Sequence, residues 1–345
     1  MSTISQETSP APAVWGSCLK ASPVVYSLHL ELFVLSGGKL TLSKNLILIV
    51  VVALGVSVAL ALILSDTLAF YGRLFQAYRT SRRFYAEYPH LARDVAFDPQ
   101  LGPRLDVYSP EAGDNHPVLV FVHGGSWKDY DKKLFAPVAM RLLPLGMVVV
   151  IPNYTLHPDA DYEQMASEVA AAVSWTLEEI QNYGGDPQRV ILAGHSAGGH
   201  LSGLVLMDPR FLGAYGHSSD EICGWIGLSG VYDVRAEYDY WANKGSEPKV
   251  ILEVMGGEQH FAQASPITYV RADLPPILLI HGDEDRTVPV EIAMNLQEAL
   301  ETAGIQSRLK LYRNAGHSDF LFRGLADESA PIVTDIADFV QACGR

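Results

Sequence analysis

Positive charge is scarce in this sequence, and no run of basic residues is long enough to follow a phosphate backbone. The 345 residues carry 25 Lys and Arg against 39 Asp and Glu, which gives a formal net charge of −14. Proteins that bind nucleic acid neutralise its phosphates with clustered Lys and Arg side chains. We therefore expect no nucleic acid partner.

Cysteine is scarce as well. The three cysteines, Cys18, Cys223 and Cys343, lie far apart, have no paired spacing and are odd in number. Structural zinc sites and the disulfide frameworks of small secreted domains both place cysteines in recognisable pairs. We therefore expect neither a disulfide framework nor a zinc site, and the cysteines leave the redox compartment open.

Charge is absent from one long segment near the N-terminus. The nineteen residues from Leu46 to Leu64 carry no charged side chain, and fourteen of them are Leu, Ile or Val. A helix of about 20 apolar residues spans the hydrocarbon core of a bilayer. The segment predicts one transmembrane helix over residues 45–65, a single-pass membrane protein and the lipid bilayer as a partner. A buried core helix and a cleaved signal peptide are the alternatives, although residues 62–64 offer no small-residue cleavage site.

Basic residues flank this helix unequally. Two lysines precede it and four arginines follow it between residues 73 and 83, which slightly favours the cytoplasmic side for the rest of the chain and leaves the side open. Seven aromatic residues alternate with these arginines. Residues 66–92 therefore predict a helix that lies in the headgroup layer or packs its aromatic side on the following domain. Residues 1–44 form an N-terminal segment to which the sequence gives no role.

From residue 93 onwards, short β-rich runs alternate with helical patterns. This alternation is typical of a parallel sheet covered by helices, and it predicts one α/β domain over residues 93–345. Residues 232–264 break the alternation and predict an insertion over the carboxyl edge of the sheet, where such folds bind ligands. Strands are predicted at Asp94–Phe97, Leu105–Tyr108, Val118–Val122, Met147–Ile151, Val190–Ala193, Trp225–Leu228, Ile277–Ile280 and Ser307–Tyr312. Helices are predicted at Leu134–Leu143, Tyr162–Asn182, Ala197–Met207, Pro289–Ala303 and Ala330–Ala342.

A serine stands at the turn between a predicted strand and a predicted helix. Ser196 is the central residue of the sequence GHSAG, which directly follows the strand Val190–Ala193. Small neighbours in this context permit the sharp turn that exposes a nucleophilic hydroxyl. A serine that only caps the following helix is the alternative for this motif in isolation.

A serine nucleophile needs a histidine base, and the imidazolium that forms needs a carboxylate. Both residue types follow in order, Asp285 after the seventh predicted strand and His317 after the eighth. Serine, acid, histidine is the chain order of hydrolases built on a nucleophile elbow. We therefore predict Ser196 as the nucleophile, His317 as the base and Asp285 as the acid, with Asp283 as the second choice. Consecutive acidic residues in such a loop are more typical of solvated residues than of metal ligands, so we expect no metal and no cofactor.

A glycine-rich loop follows the third predicted strand. Acyl transfer passes through a tetrahedral oxyanion that backbone N–H groups must stabilise, and glycines let the backbone approach closely. Gly124, Gly125 and Ser126 in this loop, together with Ala197 after the nucleophile, are predicted to form the oxyanion and substrate-binding region. Three neighbouring residues are interpreted as bracing residues: His123, Trp127 and His200.

Taken together, these motifs resemble the α/β-hydrolase esterases. The sequences HGGSW, GHSAGGHL, HGDEDRTVP and GHSDF carry the resemblance, which covers about residues 95–340. Stretches at residues 105–108, 153–158 and 183–187 are similar to the branch of carboxylesterases, isoprenylcysteine methylesterases and kynurenine formamidases. The resemblance implies an α/β-hydrolase fold with an eight-stranded, mostly parallel sheet and flanking helices, preceded here by one transmembrane helix. It also implies the three catalytic residues and the oxyanion region named above.

Three functional hypotheses are consistent with these patterns. The first is a membrane-anchored serine hydrolase that cleaves a small-molecule carboxylic ester, partly apolar, through a Ser-His-Asp triad and an acyl-enzyme. The second is an amidase of the arylformamidase type, since the motifs do not define the substrate. The third is a non-catalytic receptor or binding module, which is disfavoured because such proteins typically lose a triad residue. The sequence leaves the oligomeric state unknown.

Overall fold

The computed structural model describes residues 34–36, 39–41, 43–322 and 330–343. The chain divides into two compact units, Met1–Thr67 and Leu68–Arg345. Almost all of the predicted N-terminal segment, including Cys18, lies outside the described residues.

The described part of the first unit holds a short hairpin and the beginning of a long helix. Strands β1 (Val34–Ser36) and β2 (Lys39–Thr41) pair in antiparallel fashion. Helix α1 (Lys44–Glu87) is continuous through both the predicted transmembrane segment and the helix predicted at residues 66–92, because no proline interrupts its hydrogen bonding. Its stretch Lys44–Ala61 is unburied, and among the described residues it is the one that is long and apolar enough to cross a membrane.

One eight-stranded sheet forms the centre of the second unit, as predicted. Its strands are β3 (Leu91–Val95), β4 (Leu105–Tyr108), β5 (His116–Val122), β6 (Val148–Pro152), β7 (Gly185–His195), β8 (Gly224–Leu228), β9 (Ile277–Gly282) and β10 (Ser307–Tyr312). They are arranged in the order β10-β9-β8-β7-β5-β6-β4-β3, and the pairs β3–β4 and β4–β6 are antiparallel while the others are parallel. Every residue of β6, β8 and β9 is buried. Such continuous apolar runs are typical of strands covered by helices on both faces.

The helices of the second unit pack on the two faces of the sheet and form two apolar cores with it. They are α2 (Ala136–Leu142), α3 (Tyr162–Glu179), α4 (Ala197–Met207), α5 (Pro209–Gly213), α6 (Val234–Asn243), α7 (Lys249–Met255), α8 (Val290–Thr302), α9 (Asp319–Phe322) and α10 (Pro331–Ala342). Residues of α3, α4 and α8 pack into one core, and residues of α2 and α10 pack into the other. The predicted insertion at residues 232–264 contains α6 and α7. Asp161 caps α3 by accepting a hydrogen bond from the Gln164 N–H, which begins that helix where the apolar repeat begins.

The first predicted strand is displaced in the structure. The pattern predicts a strand at Asp94–Phe97, whereas β3 covers Leu91–Val95 and pairs with β4 through an irregular register. Asp94 adopts φ 52°, which ends regular pairing there, and Phe97 is buried in the core beyond the strand. Phe97 is therefore an apolar residue that packs in the core without belonging to a strand.

Cys223 and Cys343 form one disulfide, which the spacing of the cysteines in the sequence does not indicate. Their Cα atoms lie 5.7 Å apart, and 120 residues separate them in the sequence. Cys223 directly precedes β8 and Cys343 directly follows α10. The bond therefore ties the C-terminal helix to the sheet, and only the fold brings the two residues together.

Removal of this disulfide is expected to destabilise the second unit. A Cys343→Ser variant should lose about 2–4 kcal/mol of unfolding free energy, because a cross-link that closes a long loop restricts the unfolded chain. Thermal unfolding of the purified full chain, followed by circular dichroism, measures the loss. Cys18→Ser is the control and should melt with the wild type, and a Cys343→Ser variant that also melts with the wild type would contradict the prediction.

Candidate active site

Strand β7 and helix α4 present Ser196 at a sharp turn between them. Ser196 has φ 55° and ψ −122°, a conformation that few residues other than glycine adopt. A Cβ on Gly194 would lie 2.2 Å from the Gly198 carbonyl oxygen, and a Cβ on Gly198 would lie 2.1 Å from the Val122 carbonyl oxygen. Glycine at both positions therefore lets the chain pack closely enough to hold this strained serine.

Three side chains that follow three different strands meet at this turn. His317 Nε2 lies 2.9 Å from Ser196 Oγ, and His317 Nδ1 lies 2.8 Å from Asp285 Oδ2. Asp285 Oδ1 accepts hydrogen bonds from the backbone N–H groups of Thr287 and Val288, both at 2.9 Å. The carboxylate is therefore fixed in orientation. This arrangement can take a proton from a serine hydroxyl and stabilise the imidazolium that results.

Asp283, the second choice for the acid, has a different contact. Its Oδ1 accepts a hydrogen bond of 2.7 Å from the backbone N–H of Asn314, and the residue is exposed. The bond joins the loop after β9 to the loop after β10. The geometry thus brings Asp285 to His317, while Asp283 connects the two loops that carry these residues.

Two histidines control the charge of Asp285. Burial by itself raises the pKa of this carboxyl, but the hydrogen bonds and charges of His281 and His317 outweigh burial and hold the pKa well below its usual range. His281 Nε2 lies 3.3 Å from Asp285 Oδ2 and 2.9 Å from the Val288 carbonyl oxygen. The carboxylate is therefore ionised near neutral pH. In the part of the chain that the structure describes, no group of three or more His, Cys, Asp or Glu side chains is placed to hold a metal ion.

The loop after β5 approaches the same point with an unusual backbone. Gly125 has φ +132°, and a Cβ there would lie 2.0 Å from the Asp129 carbonyl oxygen. Ser126 has φ 50°. Ala197 is the first residue of α4, so its N–H group has no acceptor within the helix. A Cβ on Gly124 would lie 3.0 Å from the Ser196 Cβ, so this loop and the first turn of α4 both adjoin Ser196, where an oxyanion site would need its backbone donors.

A cavity of about 540 Å³ opens over Ser196. Its volume is within the range of about 300–1,000 Å³ that is usual for ligand pockets. None of the described residues of the 232–264 insertion lines it, although the hydroxyl of Tyr240 donates to the carbonyl of the lining residue Arg286. The lining residues are Gly124, Gly125, Ser126, Tyr130, Phe135, His195, Ser196, Glu284, Arg286, Thr287, Gly316, His317, Ser318 and Asp319.

The residues interpreted as braces support the two loops of the site. His123 Nδ1 lies 2.8 Å from the Gly124 carbonyl oxygen. Trp127 Nε1 donates to His200 Nδ1 at 3.1 Å, and His200 Nε2 lies 2.7 Å from the Ala264 carbonyl oxygen. Burial lowers the pKa of His123 and of His200 to about 4, so both rings are neutral near pH 7. These contacts link the glycine-rich loop to α4 and to the insertion.

The sequence patterns assign no role to His195, which the structure places against the base. Its Nε2 lies 3.0 Å from the His317 carbonyl oxygen, and the two rings are 4.8 Å apart. Burial lowers the pKa of His195 to about 3, so the neutral ring donates its N–H to that carbonyl. His195, the last residue of β7, therefore holds the backbone of His317, the predicted base. Its position next to Ser196 is the one signal in the sequence that points to it.

Glu237, in the insertion, is a buried carboxyl close enough to Asp285 to be affected by its charge. Trp241 Nε1 donates to Glu237 Oε1 at 2.8 Å, and Oε2 has no hydrogen-bond partner among the described residues. Burial raises the pKa of Glu237 to about 8 from an ordinary value of 4.5. The side chain is therefore largely protonated at pH 7.

A Glu237→Gln variant is expected to gain thermal stability relative to the wild type as pH rises from 5 to 8. The folded wild type binds the Glu237 proton more tightly than the unfolded chain does, so its unfolding free energy falls between the two pKa values. Glutamine has no proton to lose. Calorimetry at both pH values measures the difference in Tm, and exposed Glu247→Gln is the control. A Tm difference that does not change with pH would contradict this assignment.

The sequence matches a known family over more than half of its length. The BD-FAE family model matches residues 105–300. Isoprenylcysteine α-carbonyl methylesterase ICME of Arabidopsis thaliana is 30% identical over 267 residues, which cover 72% of this chain and 62% of the relative. The probable carboxylic ester hydrolase LipM of Mycobacterium tuberculosis is 32% identical over 241 residues, which cover 65% of this chain and 54% of the relative. The chain therefore spans about three-fifths of the length of the methylesterase and about half of the length of LipM.

Solved structures share the architecture of the second unit. The esterase Est2 of Thermogutta terrifontis matches with a TM-score of 0.59 and 26% identity, over 73% of this chain and 91% of that chain. A truncated carbohydrate esterase from gut microbiota matches with a TM-score of 0.63 and 21% identity, over 74% of this chain and 96% of that chain, which is a likeness of fold alone.

Proposed function

Because the chain belongs to the BD-FAE family and has the α/β-hydrolase fold that its motifs predict, we propose that it is a membrane-anchored serine esterase. Its substrate is a small-molecule carboxylic ester, and Ser196, His317 and Asp285 are its catalytic residues. The observation that carries the proposal is the aligned pair of contacts, 2.9 Å from His317 to Ser196 and 2.8 Å from His317 to Asp285. The names of the relatives, esterases and a carboxylic ester hydrolase, favour esters over amides.

The reaction proceeds through an acyl-enzyme. Ser196 Oγ attacks the ester carbonyl while its proton passes to His317 Nε2, and the bond to the alcohol breaks as His317 gives that proton to the leaving oxygen. Water then attacks the acyl carbonyl and gives a proton to His317, which returns it to Ser196 Oγ as the acid leaves. Backbone N–H groups of Gly125, Ser126 and Ala197 stabilise the oxyanion in both steps. None of these steps requires a cofactor.

Titration with the organophosphate paraoxon tests the proposal. Such compounds phosphorylate a serine that a histidine base activates, so one equivalent should stop hydrolysis of p-nitrophenyl butyrate by the detergent-solubilised full chain. Peptide mass spectrometry should locate one diethylphosphoryl group on Ser196. A fully inhibited protein that carries the group on another residue, or a chain that hydrolyses esters and does not react, would refute the assignment of the nucleophile.

The apolar stretch of α1 gives the proposed membrane anchor, and the disulfide indicates which side the esterase faces. Disulfides persist in oxidising compartments and are rare in the cytosol. The Cys223–Cys343 bond therefore supports the proposal that the second unit lies on the oxidising side of the membrane. The lysine and arginine counts on the two flanks differ too little to outweigh it.

Alkylation inside living cells tests this orientation. When cells that express the full chain are quenched with N-ethylmaleimide, Cys223 and Cys343 should be recovered as a disulfide-linked peptide. Cys18, on the other side of the apolar stretch in the sequence, should be alkylated and serves as the internal control. Alkylated thiols at both Cys223 and Cys343 would place the domain in the cytosol.

A further inference from the structure

A second cavity, of about 1,090 Å³, lies in the second unit beside the active-site pocket. One wall is a face of α1 from Leu74 to Ala86, and the other is the loop from Tyr130 to Leu134. We call this cavity the tail groove. Twelve steps of about 1.5 Å along a helix make the groove roughly 18 Å long, so its shape is that of a channel.

The tail groove exposes large apolar side chains to solvent. Phe75 is 62% exposed, Tyr78 is 53% exposed and Tyr130 is 44% exposed. Phe75 and Tyr78 are three residues apart on α1 and therefore lie on one face of the helix. A contiguous exposed patch of this kind is typical of a binding site.

The walls of the groove are held in place before any ligand binds. The hydroxyl of Ser81 on α1 donates to the Leu134 carbonyl oxygen at 2.7 Å. Lys132, in the loop wall, is 1% exposed, and its ammonium group pairs with Asp106 at 2.9 Å and with Asp94 at 2.5 Å. These contacts join the helix, the loop and the sheet. Preformed walls are typical of small-molecule sites.

The groove adjoins the pocket over Ser196. Tyr130 lines both cavities, and the adjacent residues Leu134 and Phe135 line the groove and the pocket respectively. A ligand whose reacting group lies at Ser196 can thus extend past Tyr130 along α1. We infer that the tail groove binds a long, linear apolar chain of the ester substrate. This inference rests on the proposed esterase function and names the substrate class, esters with a long hydrocarbon tail.

A bulky substitution in the groove tests the inference by chain-length preference. Ala86→Trp places a bulky side chain in the groove, and Gln76→Trp adds the same side chain to an exposed position of α1 that does not line it. In the wild type, kcat/KM should rise from p-nitrophenyl acetate to the decanoate. Ala86→Trp should lower the ratio of the decanoate value to the acetate value by about tenfold or more, through KM, since apolar contact is lost along several methylenes. Gln76→Trp should keep the wild-type ratio.

Photo-crosslinking measures binding without catalysis. The full-length Ser196→Ala protein is irradiated with a palmitic acid analogue that carries a diazirine in the middle of its chain, and the labelled peptides are mapped. Label should appear on the peptides that contain residues 74–86 and 130–134, decrease when Ala86→Trp is added, and remain when Gln76→Trp is added.

The outcomes separate the inference from the proposed function. If Ala86→Trp and the wild type both hydrolyse esters with the same ratio of decanoate to acetate kcat/KM, the inference about the tail groove is wrong and the proposed esterase function is unaffected. If Ala86→Trp does not reduce labelling of the peptides that contain residues 74–86 and 130–134, the inference is also wrong. The probe would then react with α1 from the detergent micelle and not from within the groove. If Ala86→Trp removes the label from residues 74–86 and 130–134, and the protein with Ser196 intact hydrolyses none of the p-nitrophenyl esters, the groove is supported and the esterase is refuted.

Discussion

Alanine in place of Ser196 is expected to abolish ester hydrolysis. Without Oγ no acyl-enzyme forms, and removal of a triad serine typically lowers kcat on the order of 10⁶-fold. The remaining backbone N–H groups and the pocket still bind substrate, so KM should change little. Initial rates with p-nitrophenyl butyrate, measured on the purified full chain beside the wild type, give both constants.

The matched control for this variant is Ser202→Ala. Ser202 lies on α4, the helix that Ser196 begins, and its hydroxyl accepts a hydrogen bond of 3.0 Å from Trp225 Nε1. Loss of this buried bond should lower Tm, since about 1 kcal/mol is typical of such a bond, and should leave kcat near its wild-type value. If Ser196→Ala hydrolysed the ester at the wild-type rate, the nucleophile would have to be sought elsewhere.

The Asp285→Asn variant should have the second largest effect, a loss in kcat of about 10⁴-fold, which is the usual result of this change in a triad. Asparagine keeps the shape of the side chain but carries no negative charge. It can also present an N–H donor to His317 Nδ1, which favours the wrong tautomer of the base. Pre-steady-state measurements should place the loss in acylation as well as in deacylation, because the same imidazole serves both steps.

Asp283→Asn is the matched control, since it makes the same chemical change two residues away in the same loop. Its kcat should stay within a few-fold of the wild type. The effect of Asp285→Asn should also be the same at pH 6 and pH 9. Burial opposes ionisation of Asp285, but His281 and His317 keep the pKa below its usual range, so the wild-type carboxylate is charged at both pH values. A large loss in Asp283→Asn instead would identify that residue as the acid.

The sequence was sufficient to predict the sheet because the parallel strands β5 to β9 each contain an apolar run, while the edge strand β10 alternates polar and apolar residues. The predicted strands Leu105–Tyr108 and Ser307–Tyr312 agree with β4 and β10 at both ends. The grouping of Ser196, Asp285 and His317 follows from the same pattern, because the carboxyl ends of neighbouring parallel strands lie at one edge of the sheet. Residues that directly follow such strands are close in space even when they are far apart in sequence.

Other features depend on tertiary contacts that leave no periodic pattern. Cys223 and Cys343 meet because α10 packs against the sheet beside β8. From the sequence pattern alone, Glu237 would be assigned to an exposed polar face of a helix. The packing of the insertion buries it. The tail groove requires α1 to lie beside the Tyr130–Leu134 loop, about fifty residues later in the chain. Patterns of local hydropathy describe single elements, so they do not reveal which distant elements meet.

The distances along the chain between the triad residues bear on how the protein is made. His317 lies 121 residues after Ser196 and 32 residues after Asp285. A growing chain that has folded only as far as β8 therefore carries the serine turn without either of the groups that activate it. The activity proposed for Ser196 therefore requires that β9 and β10 have joined the sheet, because the loops after these two strands carry Asp285 and His317. The appearance of activity during synthesis thus reports that the last two strands are in place.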